Sequence, residues 1–223
     1  MTTQDTPTPH ATDTPGDDDN AAPPSPLLSP VGTGLAYRWL LLVTGIIGLI
    51  GSIELTLDDI AILKNPNYVP SCSINPIISC GSVIRSDQAH VFGFPNPLIG
   101  LGAFSVVITI AVAALAGARL PGWFWLGLQA GTVFGVGFIT WLQYQTLYVI
   151  GALCPYCMAV WAAVIALFWY TLLHNLGHRI IPAPDTLRRA AASSYHWTVP
   201  FLWYLLIAML ILNRFWYYWR TLL

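Results

Sequence analysis

Residues 120–173 form a run of 54 positions with no Asp, Glu, Lys, Arg or His. No soluble domain can hide a stretch that long, whereas at about 20 residues per crossing it holds two membrane helices. The natural break is at 151–154, so a third span is expected at about 123–150 and a fourth at about 157–173. The whole chain agrees: of 223 residues, 56% are hydrophobic, 9% are charged and 10 are Trp. That is too little charge to cover a soluble surface, and the sequence reads as an all-α integral membrane protein. The formal net charge is -1, with half the acids in the first 20 residues and the basic residues scattered. Nothing in it resembles a nucleic-acid footprint.

Residues 1–35 are rich in Thr, Pro, Asp, Ser and Ala, with a run Asp17-Asp18-Asp19, and are expected to be a disordered tail. They lack the basic region and short apolar core of a cleaved signal, so the apolar segment after Arg38, at about 39–55, is expected to stay as the first span. A polar loop over 56–96 follows and carries Cys72 and Cys80. Its end, Val91-Phe92-Gly93-Phe94-Pro95, is apolar but too short to span, and reads as interfacial. Asn96-Pro97 has the pattern of a cap followed by proline at the first helical position, opening a second span at 97–118. Gly127, Gly131 and Gly135 make a small-residue ridge of the kind that lets membrane helices pack closely. A polar hinge over 176–196 with Arg179, Arg188 and Arg189 leads to a fifth membrane helix within 197–223. Its apolar part is 197–213, and it ends in an aromatic belt between Arg214 and Arg220. Glu54, Asp58 and Asp59 read as the wet end of the first span, Arg85 and His90 as solvated loop residues, and Arg214 as a snorkelling side chain.

The chemistry lies in the cysteines. In Cys154-Pro155-Tyr156-Cys157 the two thiols sit three apart, which in a first helical turn puts their Cα atoms roughly 5 to 6 Å apart, within disulfide range. Proline belongs at a helix start, and the positive end of the helix dipole there should favour ionisation of the thiol nearest the helix. Two crossings separate Cys72 and Cys80 from this pair, so all four cysteines face one side. Arg38, Arg119, Arg179, Arg188 and Arg189 flank the opposite face, against Lys64, Arg85, Arg214 and Arg220, which puts the tail and hinge in the cytoplasm. The cysteines then face the oxidising side. A zinc site would want two close-spaced pairs or accompanying histidines, and Cys72 and Cys80 are eight apart, so no metal is expected. Two inert disulfides would gain little, since a ring of three residues removes little chain entropy. Thiol exchange accounts for more. Eight residues of straight helix would hold Cys72 and Cys80 about 12 Å apart, but Asn75-Pro76 should fold the segment back. A loop pair that can open and reach a helix-bound pair is a relay. From a different class, a membrane scaffold or transporter with structural cysteines is the competing reading.

These residues carry a resemblance. Cys72, a seven-residue gap, Cys80 within Ile78-Ser79-Cys80-Gly81-Ser82, Phe92-Gly93-Phe94-Pro95-Asn96 opening a span, and Cys154-Pro155-Tyr156-Cys157 heading a later one are similar to the bacterial branch of the vitamin K epoxide reductase family, over about 36–175. The resemblance implies a four-helix transmembrane bundle around a quinone, menaquinone or ubiquinone, with a fifth helix beside it. It implies that Cys157 faces the quinone, Cys154 exchanges with Cys80, and Cys72 is the outer thiol that meets a protein substrate. Asn96 would hydrogen-bond a quinone carbonyl, with Trp161, Phe92 and Phe94 as walls of its pocket. Trp161 stands where animal members have tyrosine, four residues after the second cysteine of the pair. Many bacterial relatives carry a fused thioredoxin-like domain after the fifth span. None follows here, so a separate thioredoxin-fold redox partner is expected. The implied activity is that of a disulfide-forming thiol:quinone oxidoreductase of the inner (plasma) membrane, its cysteines on the periplasmic side. A thiol-driven reductase of quinone epoxide would use the same residues.

Overall fold

The computed structural model describes residues 27–191, 193 and 195–220. The expected tail over 1–26 and the last three residues of the fifth span lie outside them. Strand β1, Pro30–Val31, precedes helix α1, Leu35–Lys64. After the loop come α2, Cys80–Ile84, a 3₁₀ turn at Asp87–His90, and α3, Pro97–Leu115. Strand β2, Leu120–Pro121, leads into α4, Gly122–Tyr144, which continues as a π-helical segment over Gln145–Ile150. Helix α5 is Pro155–Gly177, α6 is Asp185–Ala191, α7 is Thr198–Arg214 and α8 is Trp216–Trp219. Four of these, Leu35–Lys64, Pro97–Leu115, Gly122–Ile150 and Pro155–Gly177, are long and apolar enough to cross a membrane. Helix α7 is apolar but shorter, at 17 residues or about 26 Å. The protein is an all-α membrane protein with a four-helix bundle and a fifth helix.

Helix α1 runs well past Leu55. Its 30 residues reach about 45 Å, against an apolar core of about 30 Å, so its final turns rise beyond the bilayer. Nothing breaks it before Asn65-Pro66, where proline disfavours helical backbone at the residue ahead of it. Helix α1 packs against α3 and α5, and α5 packs against α4. The α1–α3 approach is close: a Cβ at Gly48 would collide with the Phe104 ring. Tyr37 donates to Thr171 Oγ1 at 2.9 Å, tying α1 to α5, and Asn175 donates to Trp125 O and Gln129 Oε1, tying α5 to α4. At this end β1 pairs antiparallel with β2, and Trp123 N donates to Leu27 O, so residues 27–31 are stapled under the α3–α4 turn.

Among the described residues α3 and α4 form no packed pair. Between them, backed by α1 and α5, lies a cavity of about 540 Å³. The glycine ridge of α4 faces this space. A Cβ at Gly127 or Gly131 would meet nothing, and only Gly135 approaches another helix, at Val164. The ridge expected to pack helices instead keeps a wall of the cavity thin. Arg214 also departs from expectation. Its Nε donates to Leu147 O at 3.0 Å, since the last carbonyls of a helix lack internal partners, and so α7 is held to the end of the α4 segment.

Candidate active site

Two turns bring the cysteines to one place. Asn75 Oδ1 accepts from the backbone N–H groups of Ile77 and Ile78 at 3.0 and 2.7 Å, while Ile78 O accepts from Ile74 and Asn75. This side-chain-centred turn folds the loop back, and Cys72 and Cys80 are joined by a disulfide with their Cα atoms 5.7 Å apart. On the helical side, Gly151 ends the π segment with φ 69°, a left-handed turn that glycine adopts without steric cost. The chain then extends, and Leu153 makes a single parallel bridge with Ile78: Leu153 N donates to Ile77 O and Ser79 N to Leu153 O, at 2.6 and 2.9 Å. Cys80 and Cys154 each follow this bridge within two residues. They meet in one buried cluster with Leu55, Cys72 and Ile84, both at 0% exposure.

Cys154 and Cys157 are free thiols. Cys154 is the N-cap of α5, and its sulfur accepts the Cys157 backbone N–H at 3.3 Å. Its pKa is lowered, first by a hydrogen bond from the Cys157 thiol and then by the N–H groups of Cys157 and Tyr156, while burial and the Asp58 carboxylate oppose the shift. The helix end therefore acts on the capping thiol. The sequence pattern pointed to the thiol nearest the helix, but only a side chain at the N-cap can reach the free first-turn N–H groups. Cys157 packs against the cysteine cluster and also lines the cavity. The pair thus bridges loop disulfide and cavity, one thiol toward each.

Asn96 and Trp161 line the same cavity. Asn96 occupies the N-cap position of α3 without capping it. Its backbone is already helical, and its Nδ2 donates to Gln88 O at 2.7 Å. Its Oδ1 is buried with no partner, which leaves the amide free to meet a polar ligand group. Phe92 and Phe94 do not line the cavity. They are 48% and 42% exposed, turned outward by Gly93 at φ 79°. They stack on each other, and Phe92 leans on Phe138, whose ring does line the cavity.

Four residues read from sequence as merely wet or solvated belong to this site or to the loop that covers it. The buried stripe Gly48, Gly51, Ser52, Leu55 continues along α1 as Asp58 and Asp59. Tyr68 OH donates to Asp58 Oδ1 at 3.1 Å, and Asp58 Oδ2 lies 3.8 Å from Cys72 Sγ. His90 Nε2 meets Asp59 Oδ1 at 3.4 Å, and Asp59 Oδ2 is buried without a partner. Arg85 donates to the carbonyls of Pro66 and Tyr68 and so ties the loop together. Helical spacing from Leu55 could have found the two aspartates, had α1 been read through to Asn65-Pro66.

The sequence profile of the vitamin K epoxide reductase family matches residues 39–172, a stretch that holds all four cysteines, Asn96 and Trp161. The chain belongs to the vitamin K epoxide reductase family. No curated protein matches it. Family membership and the membrane helices make it a multi-pass, thiol-dependent oxidoreductase that acts on quinones or their epoxides. The cavity fits a lipid-soluble quinone and its quinol: walls from α3 and α4 that are almost wholly apolar, an amide oxygen without a partner that can accept from a quinol hydroxyl, and a thiol at the wall.

Proposed function

We propose that this protein is a disulfide-generating thiol:quinone oxidoreductase of the inner (plasma) membrane, which oxidises a separate thioredoxin-fold partner and passes the electron pair to a membrane quinone. The observation that carries this reading is the unbroken row of loop disulfide, Cys154, Cys157 and cavity. A partner thiolate attacks Cys72 and Cys80 leaves as a thiolate. The partner's second thiolate then attacks its own bridged sulfur, and the partner departs oxidised, freeing Cys72. Cys80 attacks Cys154 in the helix-pair disulfide and Cys157 leaves. Cys72 attacks Cys80, which restores the loop bridge and frees Cys154. Each step is thiol–disulfide exchange through a mixed disulfide. The product state has an oxidised loop and two helix thiols, which is the arrangement of the structure.

Return of Cys154 and Cys157 to a disulfide gives up two electrons and two protons, and a quinone is an acceptor for both. Cys157 is the thiol at the cavity wall, while Asn96 and Trp161 would hold the ring beside it. The charge distribution along the chain supports an arrangement with the cysteines on the periplasmic side, where partner proteins fold.

The test is quinol formation by the purified protein given a reduced thioredoxin-fold protein and either menaquinone or ubiquinone. Cys157→Ala should abolish it with any reductant. Cys72→Ala should lose turnover with the protein partner and retain it with a small dithiol, which can itself resolve the Cys80–Cys154 bridge. Equal loss in both variants with the small dithiol would sink the relay order.

A further inference from the structure

The relay asks more of Cys72 than a sulfur atom. Cys72 receives an electron pair when the partner leaves and must be a thiolate again when it attacks Cys80. Its site is buried, and an unpaired thiolate there is costly. Something must hold its proton in between, and none of the other three cysteines is free to do so without leaving the exchange. Asp58 is in reach. It comes from the turns of α1 that rise beyond the bilayer, is itself 7% exposed, and places Oδ2 3.8 Å from Cys72 Sγ. Its other oxygen is fixed by the Tyr68 hydroxyl at 3.1 Å, so the carboxyl is aimed rather than loosely solvated.

Building on the relay proposed above, we infer that Asp58 is the acid and base for Cys72. In the first exchange the partner's new disulfide forms, the bond from the partner to Cys72 breaks, and the Cys72 sulfur takes the electron pair and a proton from the Asp58 carboxyl. In the second, Cys72 returns that proton to Asp58 Oδ2 as its sulfur bonds to Cys80. The Cys80–Cys154 bond breaks, and Cys154 leaves with the electron pair. Asp58 ends as it began, so the shuttle consumes no external proton. The timing suits Cys154 as well. An ionised Asp58 opposes the Cys154 thiolate, and in this sequence Asp58 is neutral at the moment Cys154 leaves.

Other ionisable groups near Asp58 are Glu54 and Asp59 on α1, with His90 against Asp59, then Tyr68 and Arg85 on the loop, and Cys154 at the head of α5. Of these, Asp58 is the one in contact with the Cys72 sulfur.

The experiment uses the full-length protein prepared with the loop pair reduced and the helix pair oxidised. Re-formation of the Cys72–Cys80 bridge is followed by rapid quench, alkylation and mass spectrometry between pH 5 and 8. In the wild type the carboxyl beside Cys72 should keep re-formation fast across this range. Asp58→Asn keeps the size and the acceptor for Tyr68. It should be about 100-fold slower near pH 6 and rise about tenfold per pH unit toward the ordinary thiol range. Tyr68→Phe removes the hydroxyl that aims the carboxyl at Cys72 and should slow re-formation about tenfold. It decides the matter if Asp58→Asn fails to fold. Unchanged rate and profile in Asp58→Asn, or an unchanged rate in Tyr68→Phe, would overturn the assignment. A wild type whose loop thiols never reduce the helix pair would instead refute the relay itself.

Discussion

At the scale of single residues, the site depends on side chains released from the jobs their sequence context suggests. Asn96 has the pattern of a helix cap, but its amide is spent on Gln88 O and its oxygen is left without a partner at the cavity. Asn96→Ala should therefore weaken binding of the quinol, whose hydroxyl can donate to that oxygen, rather than helix α3. One hydrogen bond is worth about 1 to 1.5 kcal/mol, so Kd for quinol should rise about tenfold while the thermal midpoint stays within a degree or two. Cys154 is the capping thiol, and its pKa is depressed chiefly by the Cys157 thiol. A depressed pKa means that the thiolate persists below the usual thiol range and is lost only as pH falls through the lowered value. Alkylation of Cys154 in the reduced protein should show a midpoint below that of free cysteine, and Cys157→Ala should move it upward. Peptide mass spectrometry across a pH series would read both midpoints.

At the scale of elements, turns and close approaches set the site. The Asn75 turn was legible from Asn75-Pro76, and the structure supplies its mechanism: one side-chain oxygen satisfying two backbone donors. Asn75→Ala should cost about 1 kcal/mol of loop closure and raise the reduced fraction of the Cys72–Cys80 pair about fivefold at a fixed dithiol ratio. Two glycines predict opposite behaviours. Gly48→Ala would drive a methyl into Phe104 at the α1–α3 seam, and should lower stability by about 1 to 3 kcal/mol in a detergent melt. Gly131→Leu meets no neighbouring helix but fills the cavity. It should leave the melting temperature nearly unchanged and reduce quinone turnover. If Gly131→Leu melted early with turnover intact, the ridge would be a packing surface after all.

At the scale of the whole molecule, four membrane helices leave one seam unclosed, and that space is the cavity. The amino-acid sequence settled the crossings, because 54 consecutive residues without Asp, Glu, Lys, Arg or His have no other stable environment. It also determined that both cysteine pairs lie at one end, since an even number of crossings separates them, and that the loop folds back at Asn75-Pro76. What it could not determine was which face of each helix meets which neighbour. In a chain where nearly every intramembrane position is apolar, lipid-facing, packed and cavity-lining residues share one composition, so periodicity carries little contrast. Only the tertiary structure turned the α4 glycines to the cavity and sent Phe92 and Phe94 outward. It also set Leu153 against Ile78, so that Cys80 meets Cys154. Asp58 shows the same limit from the polar side. An acid near the end of a span looks solvated in sequence, and becomes a buried neighbour of Cys72 only because a loop of the same chain folds down over it.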